Sequence, residues 1–228
     1  MSWTILCDFD GTIAKQDVTD TLLEQFALPG WEEIETSWKK GLIGSRDCMG
    51  QQIALLRADR DQLNAALDAI EIDPGFHDFV ALCRDQGLPL TIVSDGLDYA
   101  IKRILGRYGL DDLPIVANHL EMVGEDEYRL SFPYANNACA KGSGTCKCKV
   151  GERLSAGKAM TLLVGDGTSD MCAAGSVDLV FAKDKLLTHC RDHGLPVVAY
   201  RDFTNATMQL AALLEEPVHQ DVPAYPAE

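Results

Sequence analysis

The hydrophobic positions along the chain alternate between short continuous runs and amphipathic stretches. Apolar runs of about four to eight residues between polar turns are typical of strands buried on both faces of a parallel sheet. Such runs predict strands at 3–7, 88–93, 115–117, 160–164, 179–181 and 196–199. Helical spacing of apolar residues predicts helices at 75–86, 98–108, 150–157, 184–193 and 203–214. This alternation predicts an α/β fold with a doubly wound, Rossmann-like parallel sheet.

Residues 14–73 depart from this alternation. Four amphipathic stretches follow one another there, and the segments between them lack the apolar run of a strand. We therefore expect a core domain formed by residues 1–13 and 74–214, with a small all-helical cap inserted after the first strand. A hairpin and a Cys-rich loop are expected at 118–149 within the core. The proline-containing segment 215–228 is expected to be a flexible tail.

The acidic charge balance narrows the classes of molecule that the protein is expected to bind. The 228 residues include 20 Lys and Arg against 35 Asp and Glu, a formal net charge of −15 at pH 7. Such acidity argues against nucleic acids and anionic membranes, and an anionic substrate would need a metal ion or local cations in its site. The N-terminus lacks the pattern of a signal peptide, and no apolar run reaches the roughly 18 residues that span a bilayer. We expect a cytoplasmic protein, either a monomer or a homodimer.

Polar side chains follow three of the predicted strands at the point where each strand ends. Because the carboxyl ends of parallel strands meet at one edge of a sheet, we expect these groups to converge. Any one of them could also belong to an ordinary turn, but their joint occurrence favours a functional site. The groups are Asp8 and Asp10 after the first strand, Ser94, Asp95 and Gly96 after the second, and Asp166 and Asp170 after the strand at 160–164.

This set of side chains suits phosphoryl transfer. A dianionic phosphate and an anionic nucleophile repel each other. Mg²⁺ bound by Asp8, Asp166 and the carbonyl group of Asp10 would screen that repulsion. Asp8 is then the candidate nucleophile, which forms an aspartyl phosphate. Asp10 is the candidate acid and base, which protonates the leaving oxygen and later deprotonates water.

The phosphoryl oxygens need donors as well. Ser94 and the backbone N–H groups of Asp95 and Gly96 are the candidates at the end of the second strand. A cation is also expected on the opposite side of the phosphate. The candidates are Lys149 as the first choice and Lys147 and Lys141 as alternatives.

The chain has eight cysteines, and five of them are scattered, mostly within apolar stretches. These five are expected to be small buried hydrophobic residues. Cys139, Cys146 and Cys148 cluster in one loop without a nearby histidine, so they supply three soft ligands, one fewer than a structural zinc site uses. We therefore expect a loop of free thiols or a single disulfide, with a metal site as the alternative.

Four segments together resemble the motifs of the haloacid dehalogenase superfamily of phosphatases. They are Asp8–Thr12 (Asp-Phe-Asp-Gly-Thr), Val93–Gly96, Lys149 and Gly165–Asp170, in the order typical of that superfamily. A helical insertion after the first motif is similar to the cap of the phosphoserine-phosphatase-like branch. The resemblance implies Asp8 as nucleophile, Asp10 as acid and base, and Ser94 and Lys149 as phosphate ligands. It also implies Mg²⁺ bound by Asp8, Asp10 and Asp166, with Asp170 acting through water or through another ligand.

Within that branch the chain resembles the methionine-salvage phosphatases. The segments that carry this resemblance are Cys7–Ile13 with Asp17, the loop Cys139–Lys149, and Val177–Asp184. It implies a small phosphorylated substrate, 2-hydroxy-3-keto-5-methylthiopentenyl-1-phosphate. The alternatives are a phosphoserine phosphatase, a phosphocholine-type phosphatase, and, in a different class, a regulatory switch that carries a phosphoaspartate.

The cap is expected to choose the substrate, and its candidate residues are Asp17, Arg46, Met49 and Gln52. Phosphoserine phosphatases typically have Glu at the position of Asp17 and Arg near the position of Gln52. Asp17 is shorter, and Gln52 carries no charge for a substrate carboxylate, although Arg46 or Arg57 could replace it.

Overall fold

The computed structural model describes residues 3–139, 141–155 and 160–215. In this part of the chain, seven strands form one sheet in the order β4-β3-β2-β1-β5-β6-β7. All neighbouring strands are parallel except β3 and β4, which confirms the predicted doubly wound α/β fold. The strands are β1 (Trp3–Cys7), β2 (Leu90–Leu97), β3 (Ile115–Met122), β4 (Tyr128–Ser131), β5 (Met160–Gly165), β6 (Leu179–Ala182) and β7 (Val197–Ala199).

Helices fill the connections between the strands. The helices are α1 (Val18–Phe26), α2 (Trp31–Lys39), α3 (Ser45–Ile53), α4 (Arg60–Asp68), α5 (Phe76–Asp85), α6 (Asp98–Arg107), α7 (Lys147–Ser155), α8 (Met171–Ala174), α9 (Asp184–Asp192) and α10 (Phe203–Glu215). Local sequence explains several of their ends: Asp59 and Gln62, for example, form a capping box at the start of α4. A search of the described helices finds none with the length and apolar character to cross a bilayer.

β1 lies at the centre of the sheet, and every one of its residues is buried. Its apolar residues are continuous because helices cover both faces of a parallel sheet. Cys7, its last residue, pairs with Ile92 of β2 and with Val164 of β5. The carboxyl ends of β1, β2 and β5 are therefore adjacent, which brings together the polar residues that follow β1 and β5 and those at positions 94–96, which lie in the last part of β2 rather than after it as expected.

α1–α4, which we call the cap helices, follow β1 and precede the next strand. The chain enters and leaves them along one short antiparallel bridge between Ala14 and Ile72. The N–H of Asp73 donates to the carbonyl of Ile13 across this bridge at 2.8 Å. Both connections thus lie side by side, and the cap helices extend from one place on the sheet. The division of the chain into a core domain and a cap domain at 14–73 stays a prediction.

Three elements differ from the sequence prediction by three or more residues at one end. β2 continues to Leu97 with a shift of register after Val93. β3 extends to Met122 because it pairs with β4 beyond residue 117. α7 begins at Lys147, three residues earlier than expected, and this difference decides which lysine reaches the site. Most of the expected tail at 215–228 lies outside the described residues.

Candidate active site

A cavity of about 420 Å³ lies between the carboxyl edge of the sheet and the cap helices. One wall carries the residues that follow β1 and β5 and those in the last part of β2, and the other wall carries side chains of the segment formed by α1, α2 and α3. The lining includes Asp8, Asp10, Ser94, Asp95, Gly96 and Asp166 on the first wall and Asp17, Asp20, Glu35, Trp38, Met49 and Gln52 on the second, with Lys39, Lys141 and Lys185 as its cations.

Asp8 follows β1 directly and is 4% exposed. Its Oδ1 accepts a hydrogen bond from the N–H of Phe9 at 2.8 Å and lies 2.8 Å from Nζ of Lys147. Burial raises the pKa of the Asp8 carboxyl well above its usual range; the charge of Asp170 adds to the rise, while Lys147 opposes it. A buried carboxylate in this position can serve as a nucleophile where positive charge keeps it ionised.

Lys147 holds the place that we expected for Lys149. Its side chain is 1% exposed, and its Nζ lies 2.6 Å from Oδ1 of Asp170 as well as 2.8 Å from Asp8. Lys149 instead pairs with Glu152 at the surface at 2.6 Å, so the choice of Lys149 is corrected. The cause is the early start of α7. Successive helical residues are about 100° apart around the axis, so Lys147 and Lys149 point in nearly opposite directions.

Asp10 lies two residues beyond Asp8 and is held by donors from two elements. Its Oδ1 accepts from the N–H of Val18 at 2.9 Å, and its Oδ2 accepts from Oγ of Ser94 at 3.4 Å. Burial, together with the negative charge of Asp17, raises the pKa of Asp10 to about 7. The carboxyl therefore holds its proton close to neutral pH, as a general acid requires.

The segment from Ser94 to Gly96 packs tightly against Asp10. A Cβ atom at position 96 would overlap Oδ2 of Asp10, so only glycine fits there. The N–H of Gly96 donates to Oγ of Ser94 at 2.9 Å. This N–H group, which we expected to contact phosphate, is thus engaged within the turn, and Ser94 is the donor that lines the cavity.

The side chain of Asp95 joins three elements, a role that the sequence did not indicate. Its Oδ2 accepts from Oγ of Ser45 in α3 at 2.7 Å, and its Oδ1 accepts from the N–H of Thr145 at 2.8 Å and from Nδ2 of Asn118 at 3.2 Å. Only the backbone N–H of Asp95 was a candidate in the sequence. Its partners lie 23 to 50 positions away in the chain, so no local pattern could have indicated them.

Three carboxylates form a possible metal site. Oxygens of Asp8, Asp166 and Asp170 all lie within 4.8 Å of one another. Oδ1 of Asp166 accepts from the hydroxyl of Thr12 at 2.7 Å, which fixes the direction of the carboxylate. Gly11 has a φ of +70°, and a Cβ there would lie 2.7 Å from Oδ2 of Asp166, so glycine allows this close approach.

The donor set fits Mg²⁺. Carboxylate oxygens are the ligands that this hard cation takes, and three carboxylates beside the single buried Lys147 leave an excess of negative charge. Burial is the main cause that raises the pKa of both Asp8 and Asp166, and the charge of Asp170 adds to it. Asp170 itself is occupied by Lys147 and by the N–H groups of residues 166 and 167, which suits an indirect role toward a metal.

The cap candidates divide into two groups. Asp17, Met49 and Gln52 line the cavity. Arg46 is not among the lining residues: its side chain lies 3.5 Å from Oδ1 of Asn137, and its Nε is 3.8 Å from Asp47. The structure thus brings three of the four candidates to the site and turns the only arginine among them away from it.

All eight cysteines lie in the described part of the chain and are free thiols. Cys7, Cys48, Cys83 and Cys190 are buried, as expected for small hydrophobic residues, whereas Cys172 is exposed. No cysteine belongs to a metal-sized group of ligands among the described residues. Cys148 lies in the first turn of α7, and its Sγ is 3.6 Å from Sγ of Cys172 in α8.

A model of the haloacid dehalogenase-like hydrolase family matches residues 5–175. The chain therefore belongs to this family, which confirms the predicted superfamily. Among curated proteins, the chain is similar to the 2-hydroxy-3-keto-5-methylthiopentenyl-1-phosphate phosphatases of Bacillus velezensis and Brevibacillus brevis. The first is 32% identical over 202 residues, covering 87% of this chain and 86% of the relative. The second is 29% identical over 217 residues, covering 94% and 97%. The predicted phosphatase class is confirmed.

Solved structures show the same fold. A substrate-bound phosphoserine phosphatase superposes with a TM-score of 0.70 at 19% identity and covers 92% of this chain and 98% of its own. A hydrolase of the same family from Salmonella enterica serovar Typhi superposes with a TM-score of 0.72 at 19% identity and covers 95% and 72%. The sheet and its helices are thus those of this family.

Proposed function

We propose that this protein is a Mg²⁺-dependent phosphomonoester hydrolase that acts on a small metabolite through a phosphate ester of Asp8. The observation that carries the proposal is the contact of Asp8 with the buried Lys147 at 2.8 Å. Asp8 lines the cavity together with Asp10 and Asp166, and the buried Asp170 has an oxygen within 4.8 Å of oxygens of Asp8 and Asp166. A nucleophile and a proton donor that line one cavity, with a fixed cation and a candidate metal site in contact with the nucleophile, are the parts that phosphoryl transfer needs.

The side chains divide the reaction between them. An oxygen of Asp8 attacks phosphorus, the bond to the leaving oxygen breaks, and the proton of Asp10 goes to that oxygen. Water then attacks the phosphorus of the aspartyl phosphate and gives a proton to Asp10, and the bond between phosphorus and the Asp8 oxygen breaks, which releases phosphate and restores both carboxyl groups. Ser94 and Lys147 donate to the phosphoryl oxygens. Mg²⁺, held by Asp8, Asp166 and the carbonyl of Asp10, would supply the positive field that offsets the repulsion between carboxylate and phosphate.

The cavity favours a substrate without a carboxylate. Asp17, Asp20 and Glu35 line its cap wall, where they repel a second anion. The cations of the lining are lysines, and none of its described residues is an arginine, the usual bidentate partner of a carboxylate. Arg57, the other arginine considered, donates to the carbonyls of residues 54 and 56 instead. This disfavours phosphoserine and agrees with the substrate named for the relatives.

The substrate is tested by kcat/KM for three esters with saturating Mg²⁺. We expect 2-hydroxy-3-keto-5-methylthiopentenyl-1-phosphate to exceed phosphoserine and phosphocholine by at least about tenfold, the factor that corresponds to about 1.4 kcal/mol. A preference for phosphoserine would overturn the argument from the missing arginine. A preference for phosphocholine would mean that the acidic wall binds a cation.

The nucleophile is tested by Asp8→Asn with Asp61→Asn, at an exposed position of α4, as the matched control. We expect Asp8→Asn to lose turnover and the control to keep it. Rapid quenching of the wild-type enzyme followed by peptide mass analysis should place one phosphoryl group on Asp8. Stoichiometric phosphorylation without repeated release of phosphate would instead favour the regulatory switch. We also propose that the enzyme is cytoplasmic and works as a monomer or a homodimer.

A further inference from the structure

Cys148 and Cys172 form a close pair of thiols beside the candidate active site. Cys148 lies in the first turn of α7 and Cys172 lies in α8, with their Sγ atoms 3.6 Å apart. Cys172 is exposed and Cys148 is partly exposed. Since a disulfide bond is about 2.05 Å long, the sulfur atoms need to approach by only roughly 1.5 Å to form one.

The backbone connects this pair to the catalytic groups on both sides. Cys148 follows Lys147 directly, and Cys172 lies two residues after Asp170. Nζ of Lys147 and Oδ1 of Asp170 are themselves 2.6 Å apart. Cys172 also lines the catalytic cavity. A covalent bond between the two thiols would therefore act on the two segments that hold this ion pair.

We propose that Cys148 and Cys172 are a reversible oxidation site, at which a disulfide bond displaces Lys147 from Asp8 and lowers hydrolysis. The loss of hydrolysis rests on the function proposed above, whereas the formation of the disulfide does not. Free thiols are the rule in reducing compartments, where the disulfides that do form are usually transient and redox-sensing.

Hydrogen peroxide is the oxidant. Sγ of Cys172 attacks one peroxide oxygen, the O–O bond breaks, and the hydroxide released takes the thiol proton and leaves as water. Sγ of Cys148 then attacks the sulfur of the sulfenic acid. The S–O bond breaks, the S–S bond forms, and a second water leaves with the remaining proton. The two thiols lose two electrons, and the peroxide gains them. A dithiol reverses the bond by exchange.

Other cysteines provide the control. Cys139 lies in the loop before α7 and is partly exposed, and its Sγ is 3.7 Å from the hydroxyl of Ser143. Cys139→Ser therefore removes a thiol of similar exposure without removing either member of the pair. Cys148→Ser removes one member and leaves every cavity-lining side chain in place.

The first measurement maps the bond. The full chain is reduced, treated with one equivalent of hydrogen peroxide, alkylated and digested for mass analysis. We expect a peptide pair linked through Cys148 and Cys172 in the wild type and in Cys139→Ser, absent in Cys148→Ser and absent after dithiothreitol. Alkylation of both thiols after oxidation, or linkage of Cys172 to Cys139 or Cys146, would overturn the proposal.

The second measurement follows hydrolysis of p-nitrophenyl phosphate by the same samples. In the wild type and in Cys139→Ser, kcat should fall in proportion to the linked fraction and return with dithiothreitol. Fully linked protein should have a kcat at least about tenfold lower, because small displacements of a catalytic group are costly. Cys148→Ser should keep its rate through oxidation. An unchanged rate in fully linked protein, or an equal loss in Cys148→Ser, would contradict the proposed control. Linked protein whose reduced form hydrolyses nothing would contradict the proposed function instead.

Discussion

Two lysines that are two positions apart in the sequence have opposite environments. Lys147 is buried against two carboxylates, and Lys149 is paired with Glu152 at the surface. Removal of the buried amine leaves the charges of Asp8 and Asp170 without their cation, whereas an ion pair exposed to solvent contributes little to stability.

We predict that Lys147→Met lowers kcat by at least about 10²-fold, the effect typical of losing one fixed donor to a developing anion. Lys149→Met, the matched control, should stay within about twofold, since its contribution is that of a surface pair. Steady-state kinetics on p-nitrophenyl phosphate, with circular dichroism to verify folding, measures both. A larger effect at position 149 would restore the motif assignment made from the sequence.

The raised pKa of Asp10 predicts how kcat/KM depends on pH. Burial raises its pKa to about 7, so its protonated fraction falls as pH rises through that value. Because the protonated form donates to the leaving oxygen, kcat/KM should decline above about pH 7. Asp10→Asn should lose about 10²- to 10⁴-fold in rate and no longer show this alkaline limb. An alkaline limb that persists in Asp10→Asn would assign the titration to another group.

The carboxylates of the candidate site could be predicted from the sequence because the carboxyl ends of parallel strands lie at one edge of a sheet. Asp8, Asp10 and Asp166 follow strands whose apolar runs are plain. The lysine depends instead on the angular position of α7, which is set by the loop before it and by the burial of Lys147 against Asp8. Neither fact is present in the spacing of the residues.

At the scale of elements, the first turn of α3 is hydrogen-bonded to the sheet side of the cavity. Ser45, its first residue, donates to Oδ2 of Asp95 at 2.7 Å, and the N–H of Arg46 donates to the carbonyl of Gly142 at 2.9 Å. Gly44 and Gly142 are also close: a Cβ on Gly44 would lie 3.2 Å from the carbonyl oxygen of Gly142. The beginning of α3 is therefore anchored to the loop that leads into α7.

We predict that Ser45→Ala loosens this anchor. Loss of a hydrogen bond to a carboxylate costs about 1.5–3 kcal/mol, so opening of the cap helices should become at least about tenfold more frequent. Amide hydrogen exchange at the start of α3 should accelerate, and KM should rise more than kcat falls. Ser37→Ala, which removes a hydroxyl bonded within α2 to the carbonyl of Glu33, is the control. Equal acceleration in both variants would mean that the contact with Asp95 does not hold the helix.

The order of helices and strands followed from periodicity, but the ends of β2 and β3 did not. β2 continues past Val93 because β3 offers a partner at Asn118, and β3 continues because β4 pairs with it. These contacts depend on residues far away in the chain, as do the bonds of Asp95, and a local window does not contain them.

At the scale of the whole molecule, the chain carries a net charge of −15. Three of its carboxylates lie close together at the carboxyl edge of the sheet. Burial and mutual repulsion raise the pKa of Asp8 and Asp166 there. The folded state thus contains carboxylates that resist ionisation until positive charge is added. Any salt screens the repulsion between the surface charges of an acidic chain, but only a bound cation neutralises the carboxylates at this edge of the sheet.

Thermal unfolding in Mg²⁺ and in NaCl separates the bound cation from general screening. A ligand that binds only the folded state at about 100 times its Kd stabilises by about 2.7 kcal/mol, and a domain of this size gains roughly 2–4 °C in Tm per kcal/mol. Saturating Mg²⁺ should therefore raise Tm by about 5–10 °C. NaCl at equal ionic strength should give a smaller rise from screening alone. Asp166→Asn keeps the shape of the site but removes one of its charges, so its response to Mg²⁺ should fall to that of NaCl. If the variant and the wild type respond equally, the cation binds elsewhere on the acidic surface, and the three carboxylates are not the metal site.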